Sequence, residues 1–230
     1  MAVETLPRRR ITTAYNGGGR ADNAVRGLSM TAVFTIGHSD HPRERFLELL
    51  RGAEITALAD VRSAAFSRWH PQFSRPALSS TLTEAGIAYV YLGAELGGMR
   101  KDPALLRDGI PDYNLIAQTP SFRNGLDRVI EGAQRHRVAL MCAEREPLEC
   151  HRFLLVSRHL AARGVTIEHI LRDGTVEPHE QTVRRLLALT RVDAGALFEA
   201  TADDAALARA YAEGRRRLYR IGKPPRPPAA

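Results

Sequence analysis

From Ala32 onward, short apolar runs alternate with amphipathic stretches and turn residues. Ala32-Val33-Phe34-Thr35-Ile36, closed by Gly37, reads as a buried strand. Pro42 then opens a helix whose Phe46, Leu49 and Leu50 recur at helical spacing, and Gly52 ends it. Ile55 to Val61 predicts a second strand. Pro76 opens a second helix, with Leu78 and Leu82 on one face and Gly86 at its end. Ile87 to Tyr91 predicts the third strand. A helix striped by Phe122, Leu126, Val129 and Ile130 starts near Ser121, and Val138 to Cys142 predicts the fourth strand. A helix over Glu149 to Arg163 and a fifth strand over Val165 to Ile170 continue the alternation.

Strands alternating with helices at these lengths imply right-handed βαβ units. The expected fold is α/β: a mostly parallel open sheet of about five strands, helices on both faces, a C-terminal helix and flexible basic tails. Along the chain this divides into a disordered basic extension over 1–29, the α/β domain over 30–190, a helical appendage over 191–213 (an Ala-rich helix from about 194) and a basic Pro-rich tail over 214–230. The connection 92–119 carries Gly93, Gly97, Gly98, Pro103, Gly109 and Pro111; at that length it reads as a functional loop or lid.

Composition sharpens this in two places. With 44% hydrophobic residues among 230, the chain can bury a core, which excludes wholesale disorder. The net charge of +7 invites a nucleic-acid reading, yet its distribution is uneven. Residues 1–29 contribute +3 and residues 214–230 contribute +6, which leaves 30–213 at −2. Nucleic acid is therefore expected as a partner only through the tails. The basic start lacks the apolar run of a secretory signal, although an Arg-rich transit peptide or an internal start at Met30 would also fit. No stretch approaches the roughly 18 apolar residues of a membrane span. The expectation is a cytoplasmic protein without a membrane partner. Two cysteines are too few for a disulfide framework.

In open parallel sheets, ligands bind beyond the carboxyl ends of the strands. The first strand empties into Gly37-His38-Ser39. The second delivers Asp60, Arg62, Ser63 and then Ser67-Arg68-Trp69-His70, while the fourth delivers Cys142 and Glu144, followed by Cys150-His151-Arg152. The fifth leads to Arg172-Asp173-Gly174. These are selective residue types, and they converge on one edge.

Several of these segments resemble the domain-of-unknown-function 488 family. They are Phe34-Thr35-Ile36-Gly37-His38-Ser39, Asp60-Val61-Arg62-Ser63 with Ser67-Arg68, Pro71-Gln72-Phe73, Gly86 to Gly93 with Leu96-Gly97-Gly98, and Leu140-Met141-Cys142-Ala143-Glu144 with Cys150-His151-Arg152. The resemblance extends through Gly164, His169-Ile170 and Asp173-Gly174 to His179, covering about residues 33–187. Ala65 departs from it, since a proline usually stands there. The resemblance implies an α/β sandwich and a motif set but no reaction.

The leading expectation is an enzyme acting on an anionic small molecule, such as a nucleotide or modified base. Cys142 or Cys150 would be the nucleophile, with Glu144, His151, His38 and Asp60 as acid–base or orienting partners. Cys150 stands near a helix start beside Arg152, which favours its thiolate. Arg62, Arg68 and Arg152 would grip the anion, helped by Ser39, Ser63 and Asp173, and Trp69 would stack a planar group. No motif requires a cofactor. Cys142, Cys150, His151 and His38 are zinc-type ligands, but the spacing between the cysteines is not that of a zinc knuckle, so no metal ligand is assigned. A redox or metal-sensing module is the remaining alternative, and the oligomeric state is open.

Overall fold

The computed structural model describes residues 32–192 and 204–221. In chain order these form β1 (Ala32–Gly37), α1 (Arg43–Gly52), β2 (Ala57–Asp60), α2 (Arg75–Glu84), β3 (Ala88–Tyr91), α3 (Gly93–Leu96), β4 (Leu106–Arg107) and β5 (Ile110–Pro111). There follow α4 (Tyr113–Gln118), α5 (Pro120–Ala133), β6 (Val138–Cys142), a π-helical segment Arg152–Ser157, α6 (Arg158–Ala161), β7 (Thr166–Ile170), β8 (Val176–Pro178), α7 (His179–Thr190) and α8 (Asp204–Ile221).

The main sheet has the order β3-β2-β6-β1-β7-β8, parallel except for β8. It has six strands where the pattern predicts about five. The extra one, β8, is three residues long and ends in Pro178, too short to register as an apolar run. It returns antiparallel to β7 after Gly174, whose φ of 100° a side chain would resist.

Alternation along the strands divides the core between the two faces of the sheet. Phe34, Ile36, Ala139 and Met141 pack with Phe46, Leu50, Leu78 and Leu82 of α1 and α2. Val33, Leu140 and Cys142 pack on the other side with α5, the π-helical segment, α7 and α8. Cys142 therefore points toward the layer that carries Cys150.

The C-terminal helix is a correction to the expected boundaries. It runs to Ile221, so Arg215, Arg216 and Arg217 belong to a packed helix and not to a free tail. The apolar spacing continues past 213 through Gly214 and Leu218. A Cβ on Gly214 would lie 2.9 Å from both Leu154 and Leu186, and Leu218 and Tyr219 pack against the core. Arg215 and Arg217 donate to Pro111 O and Leu189 O, and Arg216 pairs with Glu213. The expected extension over 1–29, the first half of the predicted 194–213 helix and the tail beyond 221 lie outside the described residues. Among the described residues no helix is long and apolar enough to cross a membrane.

Candidate functional site

The strand order builds the site. Because β6 is inserted between β1 and β2, three neighbouring carboxyl ends deliver His38, Cys142 and Arg62 side by side. The ladder continues past the strands: His38 N donates to Cys142 O at 2.9 Å, Ser39 N to Ala143 O at 2.9 Å, and Val61 N to Met141 O at 3.0 Å. Gly37 makes the approach possible, since a Cβ there would stand 1.9 Å from Glu144 O.

After β6 the chain takes a tight turn through Pro147–Glu149 and re-enters beneath Cys142 as a helical turn. Cys150 O accepts from Phe153 N and Leu154 N. Cys142 and Cys150, eight positions apart in the chain, thereby face the same two groups. Glu144 Oε2 lies 2.8 Å from Cys142 Sγ and 3.0 Å from Cys150 Sγ. His151 Nδ1 lies 3.4 Å from Cys142 Sγ and 3.9 Å from Cys150 Sγ. Both cysteines are free thiols and buried.

His151 has a determined orientation. Its Nε2 lies 2.9 Å from the main-chain oxygen of Val61, which can only accept, so Nε2 carries a hydrogen and Nδ1 is the atom turned to the sulfurs. Gly98 holds the ring from behind; a Cβ there would lie 2.6 Å from His151 Cβ.

Arg152 is fully buried. Its Nη1 and Nη2 donate to the main-chain oxygens of Glu144 (2.6 Å) and Arg145 (2.9 Å), and its Nε has no hydrogen-bond partner among the described residues. Its main-chain N–H points at Cys150 Sγ at 3.4 Å.

Burial opposes ionisation of either thiol. At Cys150 the hydrogen bond from Cys142, the Arg152 charge and His151 outweigh it and pull its pKa well down, while Cys142, the donor of the pair, is pushed well up. Desolvation and the nearby Cys150 charge raise Glu144, although the residue keeps an exposed face toward the pocket. Burial would lower His151, but its hydrogen bond to Cys150 and that sulfur's charge raise it. Of the two sulfurs, Cys150, beside the Arg152 guanidinium, is therefore the one whose thiolate is favoured.

Above the centre opens a pocket of about 560 Å³. Cys142, Glu144 and His151 form its reactive end; His38, Arg62, Phe66, Met99, Arg100 and Lys101 line the remainder. Phe66 and Met99 are 71% and 63% exposed, large apolar side chains left open at the mouth. Sequence reasoning missed Phe66, Met99, Arg100 and Lys101. The Gly97-Gly98 turn within the irregular 92–119 connection was the available signal, since it carries residues 99–101 over the strand ends.

The remaining candidates divide. His38 reaches the pocket, but its Nδ1 is bonded to Ser39 O (2.9 Å) and its Nε2 faces Arg62 Nη1 (3.2 Å). It stacks on Phe73, and burial brings its pKa to about 4. Asp60 is fully buried. It grips Arg62 through both oxygens (2.9 and 2.6 Å) and accepts from Tyr89 Oη, which leaves no face for a substrate. Ser63 Oγ accepts from Met99 N at 2.9 Å and so ties the 99–101 segment down. Ser39, in a left-handed turn at φ 47°, bonds Asp40.

The expected three-arginine grip does not assemble. Arg62 serves Asp60 and Phe73 O, Arg152 serves main-chain oxygens, and Arg68 lies exposed over the Trp69 ring at 4.6 Å. Two buried guanidiniums are more stable on fixed internal acceptors than facing an open cleft. Trp69 is 77% exposed, outside the pocket lining. Asp173 closes the β7–β8 turn by accepting from Thr175 N and Oγ1, away from the thiols.

The fold and site together define an α/β protein whose thiol, imidazole and carboxylate groups meet at the carboxyl edge of a parallel sheet. The chain belongs to the family described as domain of unknown function DUF488, whose family model matches residues 42–159. That span holds β2, β6 and the whole dithiol centre but begins after β1. No curated protein and no solved structure matches the chain.

Proposed function

We propose that this protein is an enzyme acting on an anionic small molecule with a planar or apolar body, and that its chemistry takes place where Cys142, Glu144 and His151 meet the pocket. The observation that carries the reading is the pocket itself: cations and apolar side chains surround a reactive floor. Arg100 and Lys101 stand beside Glu144, the carboxylate of the lining, with Arg62 already paired to Asp60, while Phe66 and Met99 offer an apolar wall. A volume of about 560 Å³ suits a ligand of nucleotide size. Lys101, exposed and at the rim, is the cation best able to meet an incoming charge. Glu144, with its raised pKa, is the proton carrier of the site. Free thiols at this separation fit a reducing compartment such as the cytoplasm.

The reading is tested by thermal melting of the full chain with nucleoside monophosphates, aryl phosphates and aromatic carboxylates. A ligand at about 100 times its Kd adds about 2.7 kcal/mol, a shift of several degrees for a chain of this size. Lys101→Glu should weaken the shift, and Glu144→Gln should keep it while abolishing turnover of the same compound. No shift with any class, or unchanged turnover in Glu144→Gln, would overturn the proposal.

A further inference from the structure

We infer that Cys142, Cys150 and His151 form a site for a soft divalent ion of the zinc type, with Glu144 in the fourth, exchangeable position facing the pocket. This rests on reading the cluster as the reactive end of the pocket, but it is tested separately from substrate binding.

The donor atoms of these four residues all lie within 4.8 Å of one another. Zinc–sulfur and zinc–nitrogen bonds of about 2.3 and 2.0–2.1 Å at tetrahedral angles place S and N about 3.6 Å apart. The distances from His151 Nδ1 to the two sulfurs, 3.4 and 3.9 Å, bracket that value. Thiolate and imidazole donors select zinc over the hard, oxygen-seeking cations.

The surroundings match a ligand set as well. A metal-binding histidine needs its far nitrogen anchored, and Nε2–H on Val61 O does this, leaving Nδ1 free toward the sulfurs. Arg152 suits such a charged centre: it is a wholly buried cation whose hydrogen bonds go to neutral carbonyls and whose Nε has no partner among the described residues, which favours negative charge beside it. Two thiolates, a carboxylate and a divalent ion sum to −1, which Arg152 neutralises.

Glu144 Oε2 is closer to the sulfurs (2.8 and 3.0 Å) than a tetrahedral edge allows. On loading, whatever protons the sulfurs, the carboxyl group and Nδ1 still hold leave to solvent, the close sulfur–oxygen contacts are lost and the carboxylate moves back toward the pocket. In that position it can bind the ion or yield to water, and a metal-bound water beside a carboxylate would be a hydrolytic arrangement. Spacing hid the site. Knuckle spacings describe ligands gathered in one loop, whereas these come from a strand end and the helical turn after it.

The test is stoichiometric titration of reduced, chelator-treated full-length protein with Co(II), then displacement by Zn(II). One equivalent should produce a thiolate-to-cobalt charge-transfer band and the intense visible bands of tetrahedral Co(II), and Zn(II) should bleach both. Cys142→Ser, Cys150→Ser and His151→Ala should each weaken binding by more than the roughly 10–100-fold typical of an outer-shell partner. Glu144→Gln should keep one equivalent with an altered visible spectrum. Should the cysteine variants fail to fold, the parent spectrum still decides. Absence of the charge-transfer band in the folded parent overturns the proposal, as does rapid closure of a Cys142–Cys150 disulfide that Co(II) and Zn(II) do not slow. If nucleotide or aryl-phosphate shifts persist while the cobalt signal is absent, the metal assignment fails and the pocket reading stands.

Discussion

His151 donates through Nε2 to the main-chain oxygen of Val61 at 2.9 Å, so the end of β2 sets the direction of an imidazole that faces thiols at the end of β6 and in the turn after it. Three segments distant in sequence thus agree on one ring orientation. The centre is rigid because its orienting partner is main chain, which has no rotamer to change.

The glycine behind that ring has little room to vary. Gly98→Ala would press a Cβ to 2.6 Å of His151 Cβ, an overpacking that costs about 1–3 kcal/mol. Gly52→Ala, at the end of α1 with nothing within 4 Å, should be neutral or stabilising by up to about 1 kcal/mol. Urea unfolding of both variants checks the contrast, and equal stabilities would refute it.

Arg152 braces the loop that carries Glu144. Arg152→Met leaves Glu144 O and Arg145 O without their buried donors, and the cost should be about 2–4 kcal/mol. Because Arg152 also offsets the charge on Cys150, the variant's thiols should react more slowly with a disulfide reagent at neutral pH. Faster reaction in a fully folded variant would contradict this role.

Asp60 and Arg62 form a buried bidentate pair at the end of β2. Asp60→Asn strands the guanidinium without its counter-charge and should cost about 3–5 kcal/mol. A change below about 1 kcal/mol in denaturant midpoints would show that the pair is not what holds Arg62 in place.

Besides His38 at the pocket, acid sensitivity should come from a second buried histidine chain that is not part of the dithiol centre. Thr35 Oγ1 meets His169 Nδ1 at 2.7 Å, His169 Nε2 meets His179 Nδ1 at 3.1 Å, and His179 Nε2 meets Tyr211 Oη at 3.3 Å. Arg158 lies over the Tyr211 ring, and Glu180 is the charged neighbour acting on His179. Burial lowers His179 to about 4 and His169 well below its ordinary value. A histidine with a lowered folded pKa binds its proton first in the unfolded chain. Stability is therefore fully present above about pH 6.5 and declines as pH falls toward 4. At pH 5, His179 alone should account for about 2 kcal/mol. Urea titrations at pH 7 and pH 5 should show this, and His179→Gln should flatten the slope by about one proton. An unchanged slope would remove His179 from the account.

Much of this could be read along the chain, and the limits have physical causes. Local apolar runs mark β1, β2, β3, β6 and β7 to within about two residues; β1, β2 and β6 are buried almost throughout and so read as nearly continuous apolar runs. Proline and glycine positions bound α1 and α2 well, because those residues act on their own backbone. β8 was not legible, and the span of α8 was misplaced, because both are held by tertiary partners: β8 by β7, and Gly214 by Leu154 and Leu186. Among site residues, Cys142, Glu144, Cys150 and His151 were legible as types. Asp60 and Arg62, spaced i, i+2, were legible as sharing one face of the chain, whereas the main-chain partners of Arg62 and Arg152 were not legible.

The uneven charge, the βαβ alternation and the presence of two thiols, a histidine and a carboxylate near strand ends were settled by composition and order alone. That the two cysteines share one carboxylate and one imidazole was settled only by folding. The reason is the insertion of β6 between β1 and β2: strand order is a matter of long-range pairing, which leaves no mark on the local pattern of apolar and polar residues.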